Sequence, residues 1–224
     1  IMVFGNSLSA GTPTDATVST AKIVDDAVTA AKINDDIISG ATELASEPAD
    51  TDEFLVSDAG TLKRIDYSLI KGGGITEADQ WRVTANVSGA SAFLTANWER
   101  VDSTGFGYLG TGMSQSSGVF TFPSTGIYLV KFHLHDQGGS SFLNSGAQIY
   151  VTTNNSSYTQ VTEIKEGAPA NDPGSMEASY LLDVTDTSNV KVKFYFYHGD
   201  SGSTVIGNTS YNSTYVTFIR LGDT

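Results

Sequence analysis

The sequence predicts an all-β fold. Three observations carry that prediction. Apolar and polar side chains alternate over short runs, Gly, Ser, Asn and Pro clusters break those runs at short intervals, and no stretch after position 75 has convincing helical periodicity. Many short strands with such turns make a sandwich or a barrel.

The clearest strand is Val190–Tyr197, with Val190, Val192, Phe194 and Phe196 on one face and Lys191, Lys193, Tyr195 and Tyr197 on the other. Residues 127–135 read the same way. Tyr128, Val130, Phe132 and Leu134 point inward, while Lys131, His133 and His135 point outward. Further strands are expected at 81–87, 90–94, 97–102, 106–110, 118–122, 147–153, 159–164, 176–183 and 214–221.

Composition divides the chain near Gly72-Gly73-Gly74. Phe4, Phe54 and Tyr67 are the only aromatics before that point. A segment so poor in large side chains can hardly build its own core, whereas residues 75–224 can. Residues 1–74 are therefore read as an extended stem and 75–224 as a folded head, with the Gly run as hinge. The alternative is a tight turn inside one domain.

The stem contains a period of ten: Val18, Val28 and Ile38; Ala21 and Ala31; Lys22 and Lys32; Ile23 and Ile33; Asp25 and Asp35; Asp26 and Asp36. Each unit has a few apolar positions and no way to bury them alone. Three identical chains around one axis would bury Val18, Ile23, Val28, Ile33 and Ile38 and leave Lys and Asp wet. A short helix is possible in each unit, with Ser19 or Thr20 as N-cap of the first. The alternative is a disordered acidic linker. Glu53–Ile65 places two alternating runs around Asp58-Ala-Gly60 and so predicts a hairpin. Asp66–Ile70 then reads as one helical turn capped by Asp66.

Charge and cysteine content narrow the chemistry. Lys+Arg total 12 and Asp+Glu 25, giving a formal charge of −13, so a nucleic-acid backbone is not an expected partner. The chain has no Cys, which excludes disulfide scaffolds, thiol nucleophiles and Cys-based zinc sites. No apolar run approaches the roughly 20 residues needed to span a bilayer as a helix. The opening Ile1–Gly11 lacks the pattern of a secretory leader.

Two stretches carry resemblances. Ala27-Val-Thr-Ala-Ala-Lys-Ile33 and Asp52–Asp66, with Phe4–Thr12, resemble segments of tail-fibre proteins of marine and cyanobacterial phages. Ser117-Gly-Val-Phe-Thr-Phe-Pro-Ser-Thr-Gly-Ile-Tyr128 resembles the G-x-F-x-x-P-x-x-G-x-Y signature of the C1q/TNF-like jelly roll, with Gly118, Phe120, Pro123, Gly126 and Tyr128 in place. Thr214–Gly222 is similar to the closing strand of that fold. The resemblances imply a homotrimeric virion fibre, in a phage tail or capsid. Its stem would attach to other virion proteins, and its head would contact a host surface polysaccharide or protein. The alternative is a capsid or tail decoration that binds no receptor.

Candidate chemistry is sparse. His133 and His135 share a strand face and can both reach one metal. Around a threefold axis three such pairs would meet, and some phage fibres hold an axial metal by an H-x-H motif. The alternative is two half-exposed strand histidines. No G-x-S-x-G elbow, phosphate loop or D-x-D-x-D calcium loop is present. Glu163 and Glu166 are close in sequence without a sugar-spanning arrangement being readable. Neither an enzyme nor a cofactor is expected. The long polar loops carry isolated aromatics beside amides, which suits glycans, because a ring covers the sugar face and amides bond its hydroxyls. Phe142, Asn155, Tyr158, Asn208 and Tyr211 are the candidate receptor contacts.

Overall fold

The computed structural model describes residues 23–24, 27–71, 74–139, 143–168, 171–199 and 202–224. The chain falls into two compact units, Ile1–Lys71 and Gly72–Thr224.

In the first unit, β1 (Glu53–Asp58) pairs antiparallel with β2 (Thr61–Asp66), Asp58 opposite Thr61. The two turn residues, Ala59 at φ 48° and Gly60 at φ 87°, have the positive φ that a type I′ turn demands at both centres. Tyr67–Leu69 follows as one 3₁₀ turn, as the sequence predicts, but Asp66 makes no side-chain capping bond. Its backbone is extended there, and Asp52 O instead accepts the Tyr67 N–H. In the repeat, Ala30–Lys32 is a 3₁₀ turn and α1 (Asp36–Ser39) a single helical turn. The repeat positions Ile23, Val28, Ile33 and Ile38 are all exposed. Val18 lies outside the described residues, as do Ser19, Thr20, Asp25 and Asp26.

The second unit holds β3 (Ala78–Val83), β4 (Val87–Ser88), β5 (Ala92–Phe93), β6 (Trp98–Arg100), β7 (Ser114–Ser116), β8 (Val119–Thr121), β9 (Gly126–Gln137), β10 (Leu143–Thr152), β11 (Thr159–Ala168), β12 (Pro173–Val184), β13 (Lys191–His198), β14 (Thr204–Val205) and β15 (Tyr215–Gly222). A six-stranded sheet runs β11-β10-β13-β8-β7, with β5 also on β13. A seven-stranded sheet runs β4-β14-β9-β15-β3-β6, with β12 also on β9. The chain repeatedly crosses between the sheets, from β8 to β9, β9 to β10, β11 to β12 and β12 to β13. This is a jelly roll. The first and last strands of this unit, β3 and β15, lie side by side, and Arg220 N donates to Glu77 O at 2.9 Å.

The core lies between the sheets and is aromatic. Phe120 is fully buried, with ring centroids of Trp98, Phe194 and Phe218 at 5.2, 5.4 and 5.3 Å. Each such side chain contributes about 1.5–3 kcal/mol by burial alone. The signature glycines have steric reasons. Gly118 has φ +74°, and a Cβ there would overlap the Leu94 carbonyl; at Gly126, φ +139°, it would overlap Gly222 O.

Some strand expectations fail. Residues 81–87 split, with β3 ending at Val83 and β4 beginning at Val87, and 90–94 shorten to Ala92–Phe93. Residues 106–110 form no strand: only Leu109 bridges Ala78, because Gly105 and Gly110 take left-handed φ and break the run. Residues 97–102 shorten to Trp98–Arg100, since Asn97 has φ 61°.

Candidate functional site

The solvent side of the six-stranded sheet is a grid of aromatic, amide and charged side chains. Period-2 alternation puts Lys193, Tyr195 and Tyr197 of β13 outward, because Val192, Phe194 and Phe196 fill the core. Register then fixes their neighbours. On β10, Tyr150 lies opposite Lys193, Gln148 opposite Tyr195, and Gly146 opposite Tyr197. On β5, Phe93 lies opposite Tyr195. On β11, Gln160, Glu163 and Lys165 lie opposite Tyr150, Gln148 and Gly146. An irregularity at Ile149/Tyr150 brings Gln160 into line.

The rings form a connected set. Phe93 is 5.0 Å from both Tyr150 and Tyr195 in edge-to-face geometry, and Tyr150 is 5.8 Å from Tyr195. Such pairs contribute about 0.5–1.5 kcal/mol each beyond burial, so the platform is rigid. Tyr158, in the turn between β10 and β11, reaches over its edge. The Lys193 ammonium sits 3.7 Å from the Tyr158 centroid and 5.0 Å from that of Phe93. Lys165 lies 4.4 Å from the Tyr197 centroid and 3.1 Å from a Glu163 oxygen. The Tyr150 hydroxyl faces Gln148 Oε1 at 3.1 Å and Gln160 Oε1 at 3.2 Å. Burial, then the neighbouring Tyr195 and Glu163, raise the Tyr150 pKa above its ordinary 10.0; burial likewise raises that of Tyr158. Both phenols stay neutral donors at physiological pH. Gln148 is itself buried, with its Nε2 donating to Glu163, so the exposed amide of the border is that of Gln160. Flat rings beside an amide and a cation can cover a sugar face and bond its hydroxyls.

Of the sequence-derived candidates among the described residues, Tyr158 alone belongs to this platform. Asn155 shares its turn at φ 52°, with its N–H on Asn189 O. Asn208 and Tyr211 lie at the opposite end of the sandwich, where Ile206 N bonds His135 O. Asn208 Oδ1 is occupied by the N–H groups of Ser210 and Tyr211. Tyr211 is exposed. Phe142 lies outside the described residues. The four described candidates therefore lie at two ends of the sandwich.

The paired histidines point to separate partners. His133 stacks on Tyr215 at 4.9 Å, and His135 Nδ1 meets Ser213 Oγ at 2.7 Å. Among the described residues no group of three His, Asp or Glu side chains is placed to hold a metal. The third histidine, His198, is buried and faces the buried Asp136.

No protein-family model matches the sequence, and no curated protein does. Solved structures do resemble the fold. Eiger TNF from S. frugiperda superposes with a TM-score of 0.51 at 13% identity, over 67% of this chain and 96% of that one. Murine APRIL gives 0.48 at 12% identity over 65% and 99%. The PRD1 vertex protein P5 gives 0.41 at 15% identity over 67% and 100%. The head is thus a TNF-like jelly roll within a chain that is nearly all β.

Proposed function

We propose that this chain is a homotrimeric, non-catalytic virion fibre protein. Its stem attaches to other virion proteins and its head adheres to a polysaccharide on the host cell surface. The observation that carries the adhesion reading is the ring platform of Phe93, Tyr150 and Tyr195 with the exposed amide of Gln160 at its border. The same ring contacts also stabilise the sheet, but the part-exposed faces they leave toward solvent are a contiguous apolar surface of the kind that marks a binding site. The trimer is supported by two features: the exposed Val and Ile of the stem repeat, and an apolar row on the opposite side of the sandwich. In that row Leu129 lies between Leu181 of β12 and Ile219 of β15, facing away from the core. One sheet face is thereby free for neighbours and the other for ligand. Three weak sites on one trimer bind together through effective concentration.

Binding of the labelled 224-residue chain to intact bacteria, with and without enzymatic removal of surface polysaccharide, tests the reading. Attachment is expected to need the polysaccharide. It should fall at least about tenfold in Phe93→Ala or Tyr195→Ala, the loss of one well-packed ring contact multiplied by valency. Attachment unchanged in both variants would leave the decoration role as the better account.

A further inference from the structure

We infer that the polysaccharide taken by this platform is anionic, carrying carboxylate or sulfate groups. The inference rests on the glycan reading above and adds the ligand's charge.

The chain carries −13 overall, so its few cations have acidic partners in excess. In the head nearly all of them take one. Arg82 pairs with Glu99 and Asp102, Arg100 with Asp79, Lys131 with Glu177, Lys165 with Glu163 and Arg220 with Asp223. Lys191 is buried, and its ammonium donates to the Thr187 carbonyl at 2.6 Å. Among the described residues, Lys193 is the half-exposed head cation that no carboxylate meets. It is held instead over the rings of Tyr158 and Phe93. Rings attract an ammonium without neutralising it. The charge is therefore fixed in place and left available.

Its position suits a ligand. Lys193 stands in the row of Tyr150 and Gln160, and the next row along the strands is Gln148, Tyr195 and Phe93. Alternate residues on a strand are about 7 Å apart. A pyranose lying on Phe93 and Tyr195 can thus place an acidic substituent against the Lys193 ammonium as a charge-assisted hydrogen bond. The carboxylate on the grid itself, Glu163, is already taken by Lys165. Acidic groups farther off are screened beyond about 8 Å at physiological salt.

The test uses the 224-residue chain and three probes of equal length: a β-1,4-linked oligoglucuronate, the neutral cello-oligosaccharide, and its sulfated form. The expected result is at least tenfold tighter binding of an acidic probe than of the neutral one, weakening as salt rises. Which acidic probe binds identifies the group. Lys193→Met, which keeps the stem length over Tyr158, should abolish the preference, and Lys193→Arg should keep it; unfolding temperatures confirm that both fold. Equal binding of neutral and acidic probes, or a preference that survives Lys193→Met, overturns the inference. Attachment to cells separates the two levels. Loss in both Lys193→Met and Phe93→Ala supports the inference. Loss in Phe93→Ala with none in Lys193→Met overturns the charge requirement alone. Loss in neither overturns the platform reading and the inference together.

Discussion

His198 on β13 faces Asp136 on β9 across the sandwich, with Nε2 3.5 Å from Oδ2 and both side chains almost fully buried. Nδ1 of the same ring lies 3.0 Å from the Gly89 carbonyl, which can only accept, so Nδ1 carries a proton. Ser91 holds the His198 backbone through its N–H and its carbonyl. His198 therefore binds the β4–β5 connection to β13 and sets its ring against Asp136 of the other sheet at one end of the head. Neither Asp136 oxygen has a hydrogen-bonding partner among the described residues.

Removing one member of a buried pair strands the other. Asp136→Ala is expected to cost about 3–5 kcal/mol, and Asp136→Leu with His198→Phe to restore most of it. Urea unfolding at fixed protein concentration measures both, since an oligomer's stability depends on concentration. A single-variant cost below about 1 kcal/mol would show that the two side chains are not coupled.

Stability should also fall in mild acid through His133. Burial beside Tyr215 lowers its pKa below the usual 6.5; the charge of Glu177 opposes that shift, and His135 and Lys131 add to it. The folded chain thus prefers the neutral ring, while the unfolded chain takes up the proton first. The contribution is intact above about pH 6.5 and is lost as pH falls through that value toward the lower folded pKa. His133→Gln should flatten the loss of melting temperature between about pH 7.5 and 5. An unchanged slope would assign the acid sensitivity to other groups.

Gly118→Ala should be among the most damaging single-methyl additions. A left-handed φ costs an L-residue about 1–2 kcal/mol. Crowding the Leu94 carbonyl adds about 1–3 kcal/mol. Calorimetry of the variant should show a melting temperature lower by well over 5 °C, and a shift of a degree or two would contradict the geometry.

The proposed trimer face can be tested by charge. Burying Leu129, Leu181 and Ile219 against neighbours is worth about 1.5–3 kcal/mol per side chain. Leu129→Glu with Ile219→Glu reverses that. Sedimentation is expected to give three times the chain mass for the parent and one for the variant. A parent that sediments as a monomer would remove the trimer, and a variant that stays trimeric would place the contact elsewhere.

Much of the fold was legible because the core strands alternate cleanly, because Gly118 and Gly126 take positive φ where a Cβ would overlap a carbonyl, and because Phe120 and Tyr128 are buried in the core. β7 and β14 were not. Ser114–Ser116 and Thr204–Val205 have little apolar content of their own and exist through the strands they pair with. Phe106 and Tyr108 mimicked a strand, yet Tyr108 lies with its ring under Arg100, 4.5 Å from the guanidinium carbon. At the candidate site, Tyr158 was visible from its polar turn. Phe93, Tyr150 and Lys193 were not, because what joins them is the register between β5, β10 and β13. That register depends on residues distant in sequence, and alternation alone leaves it open.

The neighbouring placement of β3 and β15 makes the head a good subject for circular permutation. A short linker from Gly222 back to Glu77 would span strands that are already hydrogen-bonded. New ends at Ser156 and Ser157, an exposed polar turn, would disrupt no ladder. The rearranged head would emerge beside Tyr158, so a surface or reporter attached there would sit next to the ring platform, and quenching of that reporter would give a direct optical readout of ligand arrival.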